Sequence, residues 1–194
     1  MPAIIRDLPY FDQATHLEIR GHSFLVKPYQ AVLWISISEK GLEVLAPRTP
    51  RIPAILDPGC NYNLLINQRQ LTAWAGIHAE HLRKLASIRV FGERVPQFAA
   101  NVWLHPNVPG QRDEFAARPP FQLELLPGIA VYPAKEGQAV YPRLPLLGCV
   151  HLSGPVCTSH SIAIDAASTS ARRGGSGCSG RRDGLAMHAD SSTP

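Results

Sequence analysis

The residues best placed to do chemistry lie where an apolar run ends in an acid. The run Ile52-Pro53-Ala54-Ile55-Leu56 leads directly into Asp57. The loop that follows is formed by Pro58, Gly59, Cys60 and Asn61. Because burying an unpaired carboxylate is expensive, an acid at the end of a buried strand indicates a functional group. An aspartate that faces a second carboxylate shares a proton with it and can act as a base toward water.

A second apolar phrase lies far downstream and also ends in glycine, Leu144-Pro145-Leu146-Leu147-Gly148. Together the two phrases resemble the retropepsin-like aspartic peptidases. In that family one strand delivers an Asp-Thr-Gly or Asp-Ser-Gly loop, and a later apolar-apolar-Gly strand packs beneath it. The resemblance covers most of residues 22–150. It implies an all-β fold, namely a small closed barrel of the retropepsin-like acid protease type with one or two short helices.

The resemblance also implies roles for individual residues. Asp57 would be the catalytic aspartate, and Gly59 would be the glycine that lets the loop approach its symmetry mate. The supporting strand would be formed by Leu146, Leu147 and Gly148. The chain has only one Asp-x-Gly on a suitable apolar strand, so each subunit of a homodimer would supply one aspartate. The expected substrate is a peptide or protein, and neither a cofactor nor a metal is expected.

The middle residue of the loop leaves a second interpretation open. Pro58 stands where the family has Thr or Ser, and proline has neither a hydroxyl nor a backbone N–H. The chain could therefore be a catalytically inactive descendant of the fold that acts as a peptide-binding or assembly module. A third interpretation gives Asp57 no chemical role, because Asp-Pro-Gly is also a common β-turn sequence.

Other candidate sites have weaker patterns. His78 and His81, with Glu80 between them, have a spacing that suits one face of a helix, and His105 lies farther along. A metal site needs three or four oriented ligands, so surface histidines are the favoured interpretation. Cys60 could be a nucleophile, but no histidine is linked to it by a recognisable pattern. The polar loop that contains His105 and continues to Asp113 could border a cleft.

Composition limits the partners. The chain has 194 residues, and 45% of them are hydrophobic. It also contains 18 prolines, a number that fits many short strands and turns. The net charge is +4, and the basic residues are scattered, so nucleic acid is not an expected partner. No run reaches the length of a membrane span. Four cysteines without a CxxC spacing and an N-terminus unlike a secretory signal predict a cytoplasmic protein with free thiols.

The sequence predicts three regions. Residues 1–21 are interpreted as an N-terminal extension, 22–152 as the retropepsin-like domain and 153–194 as a disordered tail rich in Ser, Gly and Arg. Within the tail, 161–164 alternates briefly and is a candidate weak strand. A helix is predicted over 68–77, with Gly76 placed to end it. Strands are predicted at 31–37, 52–56, 63–66, 87–91, 95–104, 121–125, 128–132 and 142–148. Trp74 and Trp103 are expected to fill the core.

Overall fold

The computed structural model describes residues 3–57, 60, 62–90, 92–123, 128–135, 143–148 and 161–165. Within these ranges the chain forms 13 strands, one α-helix and one short 3-10 helix. The strands are β1 (Ala3–Pro9), β2 (Thr15–Ile19), β3 (His22–Val26), β4 (Ala31–Glu39), β5 (Ile52–Leu56), β6 (Leu64–Asn67), β7 (Lys84–Val90), β8 (Glu93–Phe98), β9 (Ala100–Leu104), β10 (Phe121–Leu123), β11 (Ile129–Tyr132), β12 (Leu146–Leu147) and β13 (Ser161–Asp165). Helix α1 spans Gln68–Ala75, and the 3-10 helix spans Ala79–His81.

Nine strands form one mixed sheet in the order β10-β9-β4-β5-β12-β6-β11-β8-β7. Strand β12 runs parallel to β5 and antiparallel to β6, and β11 runs parallel to β6. The other neighbouring pairs are antiparallel. All five residues of β5 are buried, as expected for a nearly continuous apolar run that is covered on both faces. This run therefore lies inside the sheet, with β4 and β12 on either side.

Two separate two-stranded ribbons, β1–β13 and β2–β3, complete the fold. Ile5 and Leu8 of β1, like Phe24 of β3, belong to the same buried cluster as the apolar residues of β4 and β5. The ring of Phe24 meets Trp74 of α1 edge-on, with the ring centroids 5.2 Å apart, a favourable aromatic geometry. Trp74 is therefore a core residue, as predicted. The ribbons thus bury apolar surface that the large sheet presents.

The mainly β composition and the single short helix agree with the predicted fold class. The closed barrel does not, because the described strands form an open sheet with β10 at one edge and β7 at the other. Closing a barrel requires the two edge strands to pair. Here the apolar residues of the sheet pack instead against the two ribbons and against α1, which share its main core cluster. Burial is thus achieved without bringing the edges together.

Helix α1 begins and ends at residues that stabilise its ends. The side chain of Asn67 accepts a hydrogen bond from the Arg69 N–H at 2.9 Å, and Gln70 closes a capping box back to the Asn67 N–H. Gly76 adopts a left-handed conformation with φ of 71°, which glycine accepts without a Cβ clash. The predicted helix and its end at Gly76 are confirmed.

The predicted return strand 95–104 is divided in two. Strand β8 pairs with β7 and β11, whereas β9 pairs with β4 and β10. At the break, the Ala99 N–H donates to the Arg83 carbonyl at 2.9 Å. The segment predicted as one strand thus pairs with two different parts of the sheet. Trp103, on β9, is buried with its indole N–H donating to the Ser38 Oγ at 2.9 Å.

The segments predicted as an N-terminal extension and as a tail both contribute strands to the fold. The segment interpreted as an N-terminal extension, 1–21, includes β1 and β2, and Ile5 and Leu8 are almost fully buried. The weak strand predicted at 161–164 is confirmed as β13, which pairs antiparallel with β1. The rest of the segment predicted as a disordered tail lies outside the described residues. In the part of the chain that the structure describes, no helix is both long and apolar enough to cross a membrane.

Candidate functional site

Asp57 follows the last residue of β5 directly. Strand β5 is fixed on one side by β4, where Leu56 pairs with Ala31, and on the other by β12, where Leu56 pairs with Leu147. The aspartate backbone is also held, since its N–H donates to the Leu147 carbonyl at 2.9 Å. The structure therefore brings the two phrases singled out in the sequence, one ending in Asp57 and the other in Gly148, into direct contact.

The short strand β12 fills the space between β5 and β6. Leu146 pairs with Ile55 on one side and with Leu65 on the other. The Gly148 N–H then donates to the Asn63 carbonyl at 3.1 Å. Two residues of β12 thus join strands that belong to opposite halves of the sheet, and they do so beside the start of the Asp57 loop.

Gly148 lies where no side chain fits. A Cβ placed on it would approach the carbonyl oxygens of Tyr62 and Cys60 well inside the 3.0 Å that real Cβ atoms keep. Its backbone has no left-handed φ, so the need for glycine here is one of space alone. The close approach brings β12 against the chain that leaves the Asp57 loop.

Cys60 is the described residue of the loop that follows Asp57. The Cys60 N–H donates to the Asp57 carbonyl at 3.0 Å, so these two residues are held close together. Pro58, Gly59 and Asn61 lie outside the described residues. The Cys60 thiol donates to the Tyr62 carbonyl at 3.5 Å, and its side chain packs against a small core cluster. Cys60 therefore has the contacts of a small packed residue.

The candidate metal residues are not brought into one site. His81 lies on the 3-10 helix and His78 directly precedes it, with the two ring centroids 5.4 Å apart. His78 Nδ1 is 3.8 Å from Glu80 Oε1. His105 belongs to a different part of the molecule, after β9. Across the described ranges, no group of three or more His, Cys, Asp or Glu side chains is arranged to hold a metal ion.

His105 lies at a cavity of about 120 Å³ that the sequence did not reveal as a site. The cavity is also lined by Thr49, Arg51 and Arg118. Burial, followed by the charge of Arg51, lowers the pKa of His105 from 6.5 to about 4. From the sequence, the loop containing His105 is a candidate border of a cleft. The two arginines were missed because they are distant in the chain and neither belongs to a recognisable motif.

The described geometry allows one specific chemical arrangement around Asp57. A carboxylate at the end of a buried strand can act as a general base toward water, and in an aspartic peptidase it shares one proton with a second carboxylate that faces it. No family model matches this chain, and no curated protein or solved structure matches it either.

Proposed function

We propose that this protein is a retropepsin-like aspartic endopeptidase that works as a homodimer, with Asp57 supplied by each subunit. The substrate would be an extended peptide segment of a protein. The observation that carries this proposal is the junction of β5, β12 and Gly148 beneath the Asp57 loop. Gly148 directly follows the two-residue strand β12 and has no space for a Cβ, so backbone packs closely against backbone beside Asp57.

The proposed chemistry follows from two carboxylates sharing one proton. The ionised carboxylate takes a proton from water as the water oxygen attacks the peptide carbonyl carbon. The protonated carboxyl donates its proton to the carbonyl oxygen, giving a tetrahedral diol. In the collapse, the carboxyl that took the proton from water donates it to the leaving nitrogen. The other carboxylate takes a proton from one diol hydroxyl as the C=O bond reforms and the C–N bond breaks, so the pair again holds one proton. Each step requires the two Asp57 side chains to lie close together, so rigid support of the loop is functionally important.

A second candidate function is a peptide-binding or assembly module without catalysis. The observation that favours it is Pro58, since a proline at this position provides no hydroxyl to bond across the dimer and no backbone N–H. In that case the edge strands of the open sheet would be the elements available for a peptide to add as a further strand. The retained Asp57 and Gly59 favour the catalytic alternative.

The two functions are separated by one set of variants tested on a mixed peptide library. Asp57→Asn removes the base without changing the shape of the side chain, and Asp113→Asn is the matched control at an exposed aspartate. We expect Asp57→Asn to abolish cleavage and Asp113→Asn to retain it. Equal cleavage by wild type and Asp57→Asn would refute the aspartic mechanism.

Pro58→Thr supplies the missing hydroxyl and tests the dimer. We expect it to raise activity or to strengthen self-association in sedimentation experiments, by about 1 kcal/mol for each hydrogen bond restored. If wild type and Pro58→Thr are both monomeric and inert on the same library, the non-catalytic module becomes the better account.

A further inference from the structure

A second polar site lies at the opposite end of β5 from Asp57. There the loop between β4 and β5 and the segment between β9 and β10 enclose the cavity of about 120 Å³. Four of the residues that line it carry polar or charged side chains, Thr49, Arg51, His105 and Arg118. A polar space of this size holds several water molecules or a group with the dimensions of a carboxylate or a phosphate.

The hydrogen bonds of Ser36 fix the tautomer of His105. The Ser36 hydroxyl donates its one proton to the Pro50 carbonyl at 2.8 Å, and its oxygen lies 2.8 Å from His105 Nε2. Nε2 must therefore carry the hydrogen in the neutral ring, since a hydroxyl has a single donor. Nδ1 is then an acceptor, and no hydrogen bond to it is found among the described residues. It is the ring nitrogen that remains for a ligand.

Neighbouring groups hold the guanidinium groups of Arg51 and Arg118 in place, and neither forms an ion pair with a described residue. Arg51 stacks over the ring of Phe115, with its Cζ 4.2 Å from the ring centroid, and Arg118 donates to the Ile4 carbonyl at 3.2 Å. The ion pairs found among the described residues, His78 with Glu80 and Lys135 with Glu93, lie elsewhere. None of the residues that line the cavity is acidic. In the part of the chain that the structure describes, no carboxylate pairs with either of these two cations beside the cavity.

We propose that this cavity, which we call the Arg51–Arg118 cavity, binds a small oxyanion of the phosphate or carboxylate class. The two guanidinium groups supply charge and directed N–H donors, which suit oxyanions. Thr49 supplies a hydroxyl. His105 takes up a proton on binding, because an adjacent anion favours the charged ring, and its Nδ1–H then donates to the ligand. The charged groups lining the cavity are Arg51 and Arg118. Burial and then the charge of Arg51 oppose protonation of His105, and a bound anion would offset both.

The test uses the full chain and two probes, inorganic phosphate and acetate, titrated by calorimetry at constant ionic strength set with sodium chloride. We expect saturable binding of at least one probe, and the tighter one identifies whether the site prefers a tetrahedral or a planar oxyanion. Arg51→Gln and Arg118→Gln should each weaken binding roughly tenfold, as expected for loss of one charge-assisted contact. Arg48→Gln, in the same loop but outside the cavity lining, is the control with the same change in charge.

A second readout separates a ligand role from a structural one. The pKa of His105, followed by the NMR shift of its Cε1 proton, should rise when the tighter probe is bound in wild type and should rise less in Arg118→Gln. The proposal is overturned if neither probe saturates. It is also overturned if Arg48→Gln weakens binding as much as the two cavity variants, or if the bound probe leaves the His105 titration unchanged.

Discussion

Replacing Gly148 with alanine tests whether β12 supports the Asp57 loop as closely as the structure indicates. The added methyl would overlap the carbonyl oxygens of Tyr62 and Cys60. Both oxygens belong to backbone, so neither can move away by a change of rotamer. The strand would have to separate from the loop, and the hydrogen bond from the Gly148 N–H to the Asn63 carbonyl at 3.1 Å would lengthen.

The expected loss combines two contributions. Forcing an extra carbon into a packed site costs typically about 1–3 kcal/mol, and each hydrogen bond weakened at the junction adds about 1 kcal/mol. The bond from the Asp57 N–H to the Leu147 carbonyl is the second one at risk. We therefore expect Gly148→Ala to lower the free energy of unfolding by about 3–5 kcal/mol, a large part of the stability of an ordinary domain.

Urea unfolding of wild type, Gly148→Ala and Gly110→Ala measures this loss. Gly110 has a left-handed φ of 78°, and no atom lies within 4 Å of the point that an added Cβ would occupy, so Gly110→Ala carries only the backbone cost of about 1–2 kcal/mol. We expect the midpoint for Gly148→Ala to fall well below that for Gly110→Ala, with similar denaturant slopes. If Gly148→Ala is no less stable than Gly110→Ala, the close contact of β12 with the loop is refuted.

Three further predictions concern other parts of the fold. The pKa of His105 is lowered to about 4 in the folded protein, so the unfolded chain binds more protons between about pH 4 and 6.5. On acidification across that window, the free energy of unfolding of wild type should fall by up to about 3 kcal/mol. Urea unfolding at each pH should show a flatter pH dependence for His105→Gln. Asn107→Ala should cost about 2–3 kcal/mol, measured in the same way, because the buried carboxamide bonds both the N–H and the carbonyl of Arg6. Asn67→Ala should cost about 1 kcal/mol and reduce helical signal in circular dichroism, since it removes the cap of α1.

Local signals in the sequence were sufficient for β5 and for α1. The five apolar residues of β5 predict a strand covered on both faces, and Asn67, Gln70 and Gly76 mark the ends of the helix within one short segment. The pairing of β5 with β12 could be expected only from the resemblance to the retropepsin-like peptidases. Strand β12 has two residues, too few for any periodicity, and its pairing joins parts of the chain that are far apart.

The β2–β3 hairpin was missed although its signal was present. Thr15, Leu17 and Ile19 alternate with exposed residues along β2, and a two-residue turn at Arg20 and Gly21 connects it to β3. Both turn residues have positive φ, 49° and 78°, as the tight turns that fit twisted hairpins require. Arginine is rarely found in that conformation. The Arg20-Gly21 turn is therefore harder to recognise from the sequence than an Asn-Gly turn would be.

The cavity at His105 could not be predicted from the sequence for a different reason. It depends on Arg51 before β5 and Arg118 before β10, and neither local sequence suggests a ligand. Only the pairing of β4 with β5 and with β9 brings these segments together. Sites that are assembled from single residues on separate loops leave no periodicity or spacing to detect.

The late position of β12 in the chain has a consequence for how the protein folds. Until Leu146 and Leu147 have been synthesised, β5 has β4 beside it but a free edge on its other side, and β6 has a free edge facing it. The gap between β5 and β6 is two strand spacings wide, about 10 Å. In the folded protein every residue of these two strands is buried. A nascent or truncated chain that stops before residue 146 therefore exposes two apolar strand edges, which are templates for pairing with other chains. Completion of the sheet waits for this long-range closure, so folding should be slow.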